Sequence, residues 1–168
     1  MATTYEIINE TTLTTTAASI TFSSIPQTFT DLKIVISGRS DWANAINTDG
    51  ILVRPNGSSS NMTSIRLYGS GSSAASDTNA GQLVLTNASA TANTFGNSEI
   101  YIPNYTSSNN KSMSIDAVSE TNATTAYASL GTLLWSNSSA ITSLDLLPQN
   151  GPNFVSGSSF YLYGISNA

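Results

Sequence analysis

Apolar residues in this chain come in short runs that alternate with polar ones, and each run is cut off by Pro, Gly, Asn or Ser. The clearest is 31–37, where Leu32, Ile34 and Ile36 fall on one face and Asp31, Lys33 and Ser37 on the other. A period of two belongs to strands, whose successive side chains leave on opposite faces. Val35 sits on the second face, so that face is expected to be partly covered as well. Residues 19–22 alternate too, with Ile20 and Phe22 together before Ser23, Ser24 and Pro26 end the run. Near the other end stand 141–147 and 160–165, separated by PQNGPNFVSGSS, a stretch of turn-forming residues. The last run is so apolar that a free position would make it an aggregation edge. It is therefore predicted to be paired inside a sheet and to close the fold.

The middle of the chain repeats the pattern. Strands are expected at 51–54, stopped by Pro55, at 64–68, at 82–85, and at 99–102, stopped by Pro103. In 64–68, Ile65 and Leu67 share one face, Arg66 and Tyr68 the other. In 111–119, Met113, Ile115 and Ala117 share a face, and Lys111 is expected to stay in solvent. The run 127–135 is the longest apolar stretch; Leu130, Leu133 and Leu134 also suit a short helix, but Gly131 and the aromatics favour a strand. GSGSSAASDTNAG, 69–81, has no apolar anchor and reads as an exposed loop. Residues 5–8 read either as a strand or as an arm that docks on a neighbour. About 8–10 short strands with no helix pattern predict an all-β fold, an antiparallel β-sandwich of jelly-roll-like form. Its expected organisation is an N-terminal arm, 1–16, and a single sandwich domain, 17–168.

Composition narrows the chemistry. Ser, Thr and Asn number 29, 22 and 17 among 168 residues, while charged residues make up only 9%. A disordered chain of such polarity would carry few aromatics; here there are seven Tyr, five Phe and two Trp, nearly all in or beside the predicted strands. Five basic residues against ten acidic ones argue against phosphate-backbone binding, so no nucleic-acid partner is expected. No run approaches the length needed to cross a bilayer, so no membrane partner is expected either. The start lacks the basic and apolar regions of a secretory signal.

With neither His nor Cys, a Ser/His/Asp set, a thiol nucleophile and a Cys/His metal site are all excluded. A Ser/Lys pair would need Lys33 or Lys111, both read as lying on polar strand faces. Asp41 and Asp49 share the loop GRSDWANAINTDG with Arg39, Trp42, Asn44 and Asn47. They are expected to cap turns rather than to hold a calcium ion, since the spacing matches no calcium loop. Trp135 is expected in the core. Trp42, in a polar loop, is the aromatic residue best placed to touch a ligand or partner. No catalytic residue, metal or cofactor is expected.

Several phrases together resemble a group of small virion proteins of tailed bacteriophages: TTYEIINETTLTTTAASITF (3–22), ASITFSSIPQTFTDLKIVISGRSD (18–41), SIRLYGSGSSA (64–74) and AITSLDLLPQNGPNFVSGSSFYLYGI (140–165). Members are similar in an ITFSSIP-x-T-[FY]-T-D-L opening and an S-x-F-x-LYGI ending. The likeness covers both ends and one internal strand. It implies a non-enzymatic structural protein, made in the host cytoplasm and carried on the virion. The role it favours is a capsid decoration, or cement, protein: a homotrimer on the phage head, bound to the major capsid protein. Tyr5, Ile7 and Ile8 of the arm, with Trp42, are the expected partner contacts. A tail-fibre or receptor-binding module for host glycan or protein is the alternative, but the chain has no fibrous shaft. A carbohydrate-binding β-sandwich is the third reading.

Overall fold

The computed structural model describes residues 4–46, 48–71, 73–78, 83–119, 122 and 126–166. Among them are twelve strands and no helix: β1 (Tyr5–Thr12), β2 (Ile20–Phe22), β3 (Asp31–Gly38), β4 (Thr48–Pro55), β5 (Met62–Ser70), β6 (Ser73–Asp77), β7 (Leu83–Thr86), β8 (Gly96–Ile102), β9 (Lys111–Ser119), β10 (Tyr127–Trp135), β11 (Leu144–Pro148) and β12 (Ser159–Ile165). They form an eight-stranded sheet, ordered β1-β12-β3-β8-β9-β10-β5-β6, and a four-stranded sheet, ordered β2-β11-β4-β7. Every pairing within the sheets is antiparallel.

The order is that of a jelly roll. Strands β1 with β12, β2 with β11, β3 with β8 and β4 with β7 are nested pairs, as if one long hairpin had been rolled up into two four-stranded sheets. Two hairpins are inserted into this roll. The β5–β6 hairpin interrupts the connection from β4 to β7, and β9–β10 interrupts the connection from β8 to β11. Both join the edge of the β1-β12-β3-β8 sheet and pair with each other through β5 and β10. The eight strands of the roll and the four of the insertions account for a total above the 8–10 expected.

Alternation decides the core. Ile20, Phe22, Leu32, Ile34, Ile36, Leu144, Leu146, Phe160 and Leu162 all point between the sheets and are buried. The terminal runs share this core, since β2 pairs β11 and β3 pairs β12. Residues 127–135 are strand throughout, and Trp135 is buried at its end.

Three expectations are corrected. Residues 73–77 are not loop but β6, which lacks apolar anchors and is held by its ladder to β5. Lys111 is buried on the same face as Met113 and Ile115, because the period of two outweighs its charge; its ammonium donates to the Ser107 and Asn109 carbonyls at 2.7 and 2.5 Å. Burial lowers its pKa from the usual lysine value. Finally, residues 5–12 are no separate arm: they form β1, which pairs along β12 of the same chain.

Gly164 on β12 shows how tightly one end of the sandwich closes. A Cβ there would run into the ring of Phe29. Gly164→Ala is expected to displace that ring and lower stability by about 1–3 kcal/mol, measured by urea denaturation; an unchanged midpoint would mean that Phe29 moves freely.

Candidate functional site

The loop that follows β3 is built around polar side chains that hold other loops. Arg39 is buried, and its guanidinium meets backbone oxygens rather than a carboxylate. Nη1 donates to the Thr91 and Thr94 carbonyls at 2.7 and 3.1 Å, and Nη2 to those of Ala90 and Ala88 at 3.0 and 3.3 Å. Desolvation lowers its pKa from the ordinary arginine value. Asp41 accepts from the backbone N–H and the side-chain amide of Asn153, at 3.0 and 2.7 Å. Asp49 accepts from the Gly50, Asn150 and Gly151 backbone and from Asn150 Nδ2. The two carboxylates therefore pin the β11–β12 loop; only the bond from the Gly50 N–H to Asp49 is local, so their main partners lie outside the 38–50 stretch whose turns they are expected to cap. Asn44 bonds locally to Ile46; Asn47 lies outside the described residues. Among the described residues no three acidic side chains gather as a metal site.

Of the four expected contact residues, Tyr5 and Ile7 are exposed. Ile8 is turned inward against the core, because successive strand residues leave on opposite faces and Ile7 faces out; the register between β1 and β12 slips by one residue at this point. Trp42 is half-buried and lines a cleft of about 270 Å³ together with Arg66, Tyr127 and Asn150. The structure does not bring Trp42 to the strand that carries Tyr5.

A larger feature escaped the reading of single strands. Ile65 and Leu67 on β5 and Leu130 on β10 are 57%, 61% and 60% exposed, and Val118 and Leu134 are exposed beside them. Leu67 lies directly opposite Leu130, and Leu130 opposite Asp116 of β9. The outer face of the inserted hairpins is thus an apolar surface with Asp116 at its margin. Lys33 is on the outer face and pairs with Glu99 at 2.8 Å.

On that face the Tyr101 hydroxyl donates to Asp31 Oδ2 at 2.6 Å. This bond, then burial and the nearby negative charge, pushes the phenol up to about 12. A raised phenol pKa means that folding favours the neutral form. The contribution is fully present below about pH 10, the unfolded value, and is lost as pH rises towards 12. Tyr101→Phe is therefore expected to flatten the fall in stability across that window, as read by urea midpoints at two alkaline pH values; an equal fall in both proteins would refute the coupling.

Comparison with known proteins adds no assignment: no protein-family model and no curated protein matches the chain.

Proposed function

We propose that the protein is a non-enzymatic virion protein of a tailed bacteriophage, a decoration protein that stabilises the head shell as a homotrimer bound to the major capsid protein. The likeness of both chain ends to small phage virion proteins supports this reading. The observation that carries it is the apolar outer face of β5 and β10. An isolated domain gains nothing by holding Ile65, Leu67 and Leu130 in water, whereas an assembled one covers them. A second copy of the chain is the occupant that suits this face. The chain has a net charge of −5, so copies repel over most of their surface and approach most favourably where side chains are neutral. Contacts of this kind depend little on salt.

Two measurements test the proposal. Imaging or labelling of particles should find the protein on the head; a position at the tail tip, with heads unaltered by its removal, would replace this reading with receptor binding. Leu130→Asp should convert the trimer to monomer in sedimentation while the β-sheet circular dichroism is kept, because Leu130 contributes little to the core. A trimer that survives Leu130→Asp with Leu67→Asp would move the contact elsewhere. Removing residues 1–16 is a poorer probe of attachment, since it strips β1 from β12.

A further inference from the structure

The cleft beside Trp42 is a built site that the decoration reading does not use. Its walls come from six separate stretches: the β3–β4 loop, β4, β5, β7, β10 and the β11–β12 loop. Each wall is held from behind. The Trp42 carbonyl accepts from the Ala88 N–H at 2.8 Å, and Gly151 packs so closely that a Cβ on it would come within 3.0 Å of the Trp42 Cβ. Arg66 is locked by Asp77, to which Nε and Nη2 donate at 3.2 and 2.6 Å, and it lies 4.6 Å over the Tyr68 ring. Tyr68 in turn stacks on Tyr127, with centroids 5.5 Å apart.

What remains free in the cleft defines the ligand. Asp49 only accepts, so the Asn150 amide must turn its Nδ2 towards Asp49, at 2.8 Å, which leaves its Oδ1 as an acceptor. Among the described residues, Nη1 of Arg66, the Tyr127 hydroxyl and the Trp42 indole N–H make no hydrogen bond within the protein. With Ile46 and Val84 as apolar walls and Thr48 and Gln149 as further polar ones, the lining residues carry donors and acceptors around two aromatic side chains. Its charges are compensated: Arg66 is paired with Asp77, and Asp49 is surrounded by N–H donors. This set suits a neutral ring with hydroxyls at its rim and C–H bonds on its faces, rather than an anion. At about 270 Å³ the space suits one such ring and not an extended chain.

We infer that this cleft binds a single unit of a neutral saccharide, an activity separate from assembly on the head. Fixed walls lower the ordering cost of binding, yet a ligand of about a dozen heavy atoms in so small a cleft is expected to bind with a dissociation constant on the order of 1 mM.

The two tryptophans make a direct test. In the full-length ¹⁵N-labelled protein, the indole resonance of Trp42 reports on the cleft, while that of the buried Trp135 reports on the core. Glucose, galactose, mannose, rhamnose and N-acetylglucosamine are titrated separately, with glycerol as control. At least one sugar should shift the Trp42 resonance saturably and leave Trp135 in place. Tyr127→Phe and Asn150→Ala should each weaken that sugar about threefold or more, by removing one hydrogen bond, with the Trp135 resonance unchanged. The inference is overturned if no sugar moves Trp42 saturably up to about 100 mM, a hundred times the expected constant. It is equally overturned if glycerol moves it as far, or if neither substitution weakens the response.

Discussion

Phe160→Ala is expected to destabilise the domain by about 3–5 kcal/mol, the range for truncating an aromatic side chain in a packed core. Phe160 is fully buried on β12, between β1 and β3, and its ring meets Phe154 edge-on at 4.9 Å. The backbone of Phe154 forms isolated bridges with both Ala17 and Ser40. Losing the Phe160 ring therefore opens a cavity where the final strand, the β11–β12 loop and two other segments converge. None of them is free to collapse into it, because each is fixed by main-chain bonds. Equilibrium urea unfolding measures the effect, and a loss below about 1 kcal/mol would show that the surroundings relax to fill the space.

That strand was legible because its alternation, its turn-rich approach and its apolar content all favour the same state. Elsewhere the signals separate. Alternation shows which residues share a face but not which face is covered. In 64–68 it grouped Ile65 with Leu67, and the covered face proved to be the other one, holding Ser64, Arg66 and Tyr68. The inserted hairpins lie beyond the roll proper, and no single strand shows where the second sheet stops. Lys111 shows a related limit: its spacing from Met113 puts it inward, and the carbonyls that satisfy it belong to a turn whose shape the sequence does not display. For β6, SAASD has no side chain that demands burial, so its strand state comes from β5 and from the Arg66–Asp77 pair. The cleft was visible only as Trp42, an aromatic residue in a polar loop. Arg66, Tyr127 and Asn150 reach it from positions far apart in the chain, and only the tertiary structure joins them.

Arg39→Met should be the most damaging change at a polar residue, with an expected loss of about 3 kcal/mol or more. The substitution keeps much of the side-chain volume but removes the donors for four carbonyls, each bond to a charged group contributing about 1.5–3 kcal/mol before coupling. Part of that loss is offset, because a buried guanidinium without a carboxylate partner is itself unfavourable. Arg39→Lys should recover less than half, since one ammonium cannot span carbonyls that a planar fork reaches from both sides. The damage should also extend to the cleft. The carbonyls held by Arg39 belong to the segment 88–94, and the same segment donates from Ala88 to the Trp42 carbonyl. Its neighbour Asn87 donates to the Asn44 and Thr48 carbonyls at 3.0 and 3.3 Å. With Arg39 gone, amide exchange at Ala90 and Thr94 should accelerate, and the Trp42 indole resonance should broaden while that of Trp135 stays sharp. If stability falls but Trp42 is undisturbed, Arg39 supports the core alone and the cleft wall is held by Asn87. If stability changes by less than about 1 kcal/mol, water has replaced the guanidinium at the carbonyls, and the buried charge contributes little to the fold.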